Sequence, residues 1–253
     1  MDWLLPLVTL TAMEIVLGID NIVFLSILVA ALPPERQKTA RFLGLGLALG
    51  ARMVLLLGIK WVMGLEAALF HLSSFGVLPD SWLRSHHVDA VTGRDLVLFG
   101  GGLFLIAKSV LEIHKKVEGG EDEEVAEKAK GASFGAVIAQ IVLLDLVFSL
   151  DSVISAIGMV QEIWVMVVAI VIAVAFMAAF AGRISGFIER NPTFKMLALS
   201  FLVMIGVMLI AEGIGTHIGR GYIYASMVFA LVVEVLNMRV RTKKTKKKPQ
   251  SVV

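Results

Sequence analysis

From Ile163 to Gly182 the chain runs for twenty residues without a charged side chain. At 1.5 Å per residue, a helix of that length is about 30 Å long, the thickness of a bilayer's hydrocarbon core. No water reaches the backbone at that depth, so the run must satisfy its own N–H and C=O groups, and a helix does so. Six further apolar runs accompany it: Trp3–Leu32, Phe42–Met63, Leu96–Ile113, Phe134–Met159, Met196–Ala211 and Tyr222–Met238. Of the 253 residues, 58% are hydrophobic and only 17% charged. A soluble domain has too little interior to hide so much apolar surface. The pattern predicts an all-α integral membrane protein with seven spans, and argues against a soluble enzyme, a disordered chain and a nucleic-acid binder. The first run carries Asp2 and internal acids and lacks a basic leading segment, so it reads as a retained span rather than a removable signal.

The basic residues give the direction of insertion. With the N-terminus outside, the inward connections and the tail hold sixteen Lys and Arg residues, the outward connections only Arg84, Arg94 and Arg220. The positive-inside rule then predicts a cytoplasmic C-terminus, with residues 241–253 forming a basic tail beside the lipid headgroups. Two longer connections read as solvated linkers: the outer 64–94 with His86–His87, and the inner 114–133 with the acidic run at 121–124. The chain has no cysteine, which removes disulfides, thiolate metal sites and a thiol nucleophile together.

Two of the seven runs resemble each other. Glu14-Ile-Val-Leu-Gly-Ile-Asp20-Asn21 aligns with Asp145-Leu-Val-Phe-Ser-Leu-Asp151-Ser152, and the same offset places Arg52 on Arg183. Leu105-Ile-Ala-Lys108 aligns with Leu209-Ile-Ala-Glu212 at a shorter offset, as loss of a 64–94 counterpart would produce. The expected architecture is two three-helix repeats, about 3–114 and 134–216, followed by a seventh helix at 222–238. An odd number of spans per repeat inverts the second copy, as in many secondary transporters.

Charged groups at bilayer depth cost about 2.5–3.5 kcal/mol each on insertion scales, so acids inside spans point to function. Glu14, Asp20, Asp145 and Asp151 are such acids, and Arg52 and Arg183 are candidate counter-charges. Glu14 and Asn21 share one helix face; Asp145, Ser149 and Ser152 repeat that stripe. Asp20 and Asp151 sit about 120° away on a regular helix, and reach the same site through a local break near Gly18 or by neighbouring helices wrapping round. A local break is the expectation here, since Gly18 and the length of the first run both suit an interrupted helix. Carboxylates, an amide and hydroxyls form a hard oxygen set suited to Mn²⁺, Mg²⁺ or Ca²⁺, with a proton or Na⁺ site as the other reading. Met13 and Met53 are candidate thioether donors favouring Mn²⁺. Lys108 with Glu112 reads as a local ion pair, Glu212 with His217 as an outer proton-exchange pair, and Glu234 with Asn237 as helix–helix polar packing. The glycines at 44, 46 and 100–102 read as points of close helix contact.

These residues carry a family resemblance. EIVLGIDNIVFLS from Glu14, GGLFLIAKSVLEIH to His114, IVLLDLVFSLDSVISA to Ala156 and NPTFKMLALSFL to Leu202 resemble the TerC-like integral membrane proteins, as do RGYIYASM to Met227 and Glu234-Val-Leu-Asn237. The match covers about residues 10–238, and is to compact members without appended regulatory domains. The resemblance implies a seven-helix fold related to the LysE-type exporter superfamily and a role in divalent-metal efflux, chiefly of manganese. By motif position it makes Glu14, Asp20, Asn21, Asp145, Asp151 and Ser152 the metal-site residues. Where the family pattern has Pro-Lys before Gly-Tyr-Ile-Tyr, this chain has Gly219-Arg220. An exporter of Mn²⁺ across the cytoplasmic membrane, coupled to protons, is the leading expectation. A membrane scaffold that delivers metal to other proteins is the alternative; an intramembrane metal-dependent enzyme is disfavoured because no HExxH occurs.

Overall fold

A computed structural model describes residues 3–71, 73, 90–118, 133–160, 162–216 and 219–246, without the side chains at 60, 151, 155, 157–159, 220 and 241–246. The acidic run at 121–124, the pair His86–His87, His217 and the end of the basic tail lie outside the described residues. In chain order the elements are α1 (Leu4–Val29), α2 (Pro34–Leu57), the short α3 (Ile59–Gly64), strands β1 (Ala68–His71) and β2 (Ala90–Thr92), then α4 (Gly93–Glu118), α5 (Phe134–Met159), α6 (Ile163–Arg190), α7 (Pro192–Gly213) and α8 (Arg220–Lys246). Seven helices among the described residues are long and apolar enough to cross a membrane, matching the seven runs.

Boundaries differ where polarity hides a helix. α2 begins at Pro34, eight residues before the apolar run, because Pro at the first turn and Glu35 beside the helix N-terminus start it in the polar segment. It ends at Gly58, whose ψ of 24° leaves the helical region, so the predicted single run splits into α2 and α3. α8 continues to Lys246 because Lys and Arg are good helix formers. The expected outer linker is also more ordered at its base than predicted: β1 and β2 pair antiparallel and close it. β2 passes directly into α4, where Thr92 and Asp95 cap the helix reciprocally. Asp95 N–H donates to Thr92 Oγ1 at 3.2 Å, and Thr92 N–H and Oγ1–H donate to Asp95 Oδ2 at 2.9 and 2.7 Å.

The helices pack mainly in three pairs: α1 against α6, α2 against α5, and α4 against α7. Exchange of the two halves carries α1·α6 onto α5·α2 and returns α4·α7 to itself. α8 lies outside these pairs, chiefly against α7. Small residues set the spacing. A Cβ on Gly102 would stand 2.6 Å from the Gly206 carbonyl oxygen, and one on Gly206 would stand 2.9 Å from that of Gly102, so the α4 and α7 backbones touch there. Gly101 admits Val147 of α5, and Gly18 admits the thioether of Met177 of α6. Outside this core, Leu5, Val54, Leu57, Tyr222 and Phe229 are largely exposed, an apolar surface suited to a lipid environment.

Replacing Gly102 by Val should therefore force the α4–α7 contact apart, at the roughly 1–3 kcal/mol typical of overpacking. Gly100→Ala, which points into open space, should be neutral. The measurement is the fraction of protein still monodisperse in detergent after a temperature series.

Candidate functional site

Three helices bring their rare charged residues to one point. Glu14 of α1, Arg52 of α2 and Asp145 of α5 are each less than a tenth exposed. Arg52 Nη1 donates to Glu14 Oε2 in a short contact. On its other side the guanidinium forks onto Asp145, Nη2 to Oδ1 at 2.7 Å and Nε to Oδ2 at 3.2 Å. A planar guanidinium suits this double bond to a carboxylate, which a lysine could not make.

Asp145 is the more fully satisfied acid. Besides Arg52 it accepts from Asn21 Nδ2 at 3.2 Å, on Oδ1, and from Ser149 Oγ at 3.2 Å, on Oδ2. Those four bonds match the capacity of one carboxylate. The serine reaches it because positions i and i+4 stack on a helix face. Ser152, one turn on, donates to the Ser149 carbonyl at 3.3 Å. Asn21 gives its amide N–H to Asp145, and among the described residues its amide oxygen accepts no hydrogen bond.

Beside this bridge lies a cavity of about 40 Å³, lined by Glu14, Asp20, Asn21, Arg52 and Ser152. A water-sized space needs roughly 10–15 Å³ on this measure, so the cavity has room for an ion with part of its hydration. Asp20 faces it and, among the described residues, has no hydrogen-bond or ion-pair partner. The remaining walls come from apolar side chains of α1, α5, α7 and α8, including Phe148, Met208 and Ile223, together with Tyr224.

The expected break in the first helix is not there. α1 is continuous from Leu4 to Val29 and α5 from Phe134 to Met159. Gly18 serves the close approach of Met177 instead, and Asp20 reaches the same cavity as Glu14 because α7 and α8 wrap round that side. Met208, rather than Met13 or Met53, lines the cavity. The α7 and α8 walls carried no signal in the sequence, since an apolar side chain on a cavity looks like any other in a span.

The other candidates lie apart. Arg183 does not join Glu14, Asp20 or Asp145: it is exposed on α6, with its guanidinium 5.7 Å from the Phe180 ring centre. Lys108 and Glu112 stand half-buried on α4 with no ion pair between them. Glu212 is buried near the end of α7, where the nearby charge is Arg94 at the start of α4. Asn237 donates to Glu234 within α8 at 3.3 Å. The helix position of Asp151 is in α5, but its side chain lies outside the described residues. Among the described residues, no three His, Asp or Glu side chains are grouped closely enough to hold a metal ion. Arg52 occupies the space between Glu14 and Asp145.

Seven apolar helices around a buried carboxylate–arginine bridge define a polytopic integral membrane protein with an ionisable centre. The model of the integral membrane protein TerC family matches residues 1–249. The chain is 47% identical over 240 residues to the UPF0053 inner membrane protein YgdQ of Escherichia coli, covering 95% of this chain and 94% of that one. It is 46% identical over 237 residues to a UPF0053 protein of Haemophilus influenzae, covering 94% of each. The longer UPF0053 inner membrane protein YoaE of E. coli is 44% identical over 235 residues, which is 93% of this chain and 42% of that one. No solved structure matches. The chain belongs to the TerC family, and is a multi-pass inner membrane protein.

Replacing Arg52 by Gln should leave Glu14 and Asp145 buried without their cation. Breaking a buried pair in this way costs about 3–5 kcal/mol. The triple variant E14Q/R52Q/D145N removes all three charges and should recover much of that loss. Thermal midpoints of the purified proteins check both, and a triple variant no more stable than R52Q would show that the bridge is not the cause.

Proposed function

We propose that this protein exports a divalent cation, manganese(II), across the inner membrane in exchange for protons. The observation that carries this reading is Asp20, which among the described residues has no partner, on a cavity whose other lining acid, Glu14, is already held by Arg52. A protein needing only structural ion pairs has no use for a further acid in the same apolar span.

The charges make the exchange consistent. Glu14, Asp20 and Asp145 have one guanidinium among them, and if the fourth acid of the sequence motif, Asp151, is added to the count the net charge is −3 when all are ionised. A divalent cation brings the site to −1, and so do two protons. Exchange of one for the other leaves the buried charge unchanged in both directions of transport, and avoids stranding uncompensated charge in low dielectric. Arg52 stands in for part of the cargo in the empty site, keeping Glu14 and Asp145 neutralised. Asp20, the Asn21 amide oxygen, Ser152 and Asp151 supply hard oxygen donors that suit Mn²⁺, with Mg²⁺ and Ca²⁺ as competitors. Met208 adds a soft group to the wall.

The helix pairing supports an inverted repeat around this centre, the arrangement in which alternating access places cargo near the midplane. With the N-terminus outside, the positive-inside bias sets the orientation of the bundle, and export is the direction proposed for it. Moving two charges outward against 100 mV costs about 4.6 kcal/mol, twice the single-charge figure, and inward proton flow offsets it. Glu212, with His217 counted from the sequence, is the candidate proton relay on the outer side.

In proteoliposomes the wild-type protein should carry Mn²⁺ in preference to Mg²⁺, Ca²⁺ and Zn²⁺, with a flux that follows an imposed pH gradient at clamped potential. Asp20→Asn should reduce that flux to background while leaving the thermal midpoint nearly unchanged, because it removes an unpaired buried acid rather than a partner. Undiminished Mn²⁺ flux in the Asn variant would remove Asp20 from the site. Flux indifferent to the pH gradient would leave the cation site standing and remove proton exchange.

A further inference from the structure

Arg183, which the central site does not use, has company elsewhere. Together with Lys38 and Arg41 of α2 it lines a pocket of about 310 Å³ between α2 and α6, walled by Phe42, Leu45 and Gly182. That volume falls at the low end of ligand-sized pockets, roughly 300–1,000 Å³. Among the described residues none of the three cations has a carboxylate at ion-pair distance. Lys38 and Arg183 are exposed, Phe42 is 56% exposed, and nothing stands in front of Gly182, so the pocket opens sideways on the apolar surface.

Its depth is set by helix geometry. Arg41 lies seven residues after the start of α2, and Arg183 seven before the end of α6, so both stand about 10 Å in from the same end of the bundle. α6 is 28 residues long, about 42 Å, and overhangs a hydrocarbon core of about 30 Å by roughly 6 Å at each end. The three cations are thus close to the level where headgroup phosphate and glycerol meet the acyl chains. Three like charges crowded at the edge of a low-dielectric layer repel one another, and an anion between them relieves that repulsion.

We propose that this pocket is a binding site for the phosphodiester headgroup of an anionic phospholipid, with Lys38, Arg41 and Arg183 around the phosphate and Phe42 and Leu45 against the upper acyl chain. Basic pockets between spans are a known form of lipid recognition. The guanidiniums offer the paired N–H donors that phosphate oxygens accept. The lipid bridges α2, which carries Arg52, to α6, which packs on α1, and so ties the two halves together from outside the core. The sequence-based orientation puts the site in the cytoplasmic leaflet, but binding does not depend on which leaflet it is.

Native mass spectrometry of protein taken from phosphatidylglycerol-containing nanodiscs reads the site directly. Wild-type protein should keep phosphatidylglycerol adducts at detergent levels that strip phosphatidylcholine. Each basic residue beside an anionic lipid is worth about fivefold in binding, so K38Q/R41Q/R183Q should weaken retention on the order of a hundredfold. The control R36Q/R190Q/K195Q removes the same charge at the same end of the bundle but outside the pocket, and should retain lipid. R41K/R183K, which keeps the charge, should retain most of it. Should the triple pocket variant not elute as a monodisperse species, R183Q alone should still lower retention about fivefold. Equal loss in pocket and control variants would reduce the effect to diffuse attraction and overturn the site, as would unchanged retention in K38Q/R41Q/R183Q or, if that variant is not monodisperse, in R183Q. If inorganic phosphate at millimolar concentration displaces the lipid and raises the thermal midpoint as much as phosphatidylglycerol does, the site belongs to a free anion and the lipid assignment fails.

Discussion

The structure depends on one guanidinium. Arg52 is the cation that lets Glu14 and Asp145 remain buried in a bundle of apolar helices, and it touches both through separate edges of its fork. Desolvating three charges is expensive, and the cost is offset only where geometry is good and the remaining acceptors are filled. Asn21 and Ser149 fill them on Asp145. The bridge also fixes register. α1, α2 and α5 can slide past one another only by breaking it, whereas the leucines, valines and isoleucines that surround it would tolerate many alignments.

Around that fixed point, small residues set how close the helices come. In lipid, apolar side chains gain nothing from leaving water, so packing and close backbone contact carry helix association. Gly102 against Gly206 and Gly18 against Met177 are the clearest cases. The second of these bears on the site. A Cβ at 18, two residues before Asp20, would press on the flexible thioether of Met177, so the packing of α1 on α6 there would have to adjust. Continuity of α1 through Gly18 keeps Glu14, Asp20 and Asn21 on one rigid rod. On the side facing those acids the cavity is walled by side chains of α7 and α8, Ile205, Met208, Leu209, Ile223 and Tyr224.

The number of spans and most of their positions were legible in the sequence, because a bilayer leaves so few choices for an apolar run. The ends were less so. Polar first turns such as Pro34 to Arg41 form helix without any hydropathic signal, and Gly58 ends α2 within an unbroken apolar run. The pairing of Glu14 and Asp145 through an arginine was foreseeable from the cost of buried acids, and the aligned motifs named the residues. Which arginine would serve was not legible. Arg52 and Arg183 occupy equivalent places in the alignment, and only packing separates them. Nor was the cavity's far wall, since Ile205, Met208 and Leu209 are indistinguishable from core in sequence.

That difference between the two arginines is where the halves of the chain part company, and it has an electrostatic consequence. Had Arg183 turned inward as Arg52 does, Glu14, Asp20 and Asp145 would meet two guanidiniums, and Asp20 would have a cation beside it. With Arg183 at the lipid-facing edge, the centre holds one guanidinium and one unit more of negative charge. That guanidinium is engaged by Glu14 and Asp145, so among the described residues Asp20 faces the cavity with no counter-charge. A lone carboxylate in low dielectric is costly until a positive charge joins it. The buried arginine makes two of the acids tolerable, and the exclusion of its counterpart leaves the third uncompensated by the described side chains.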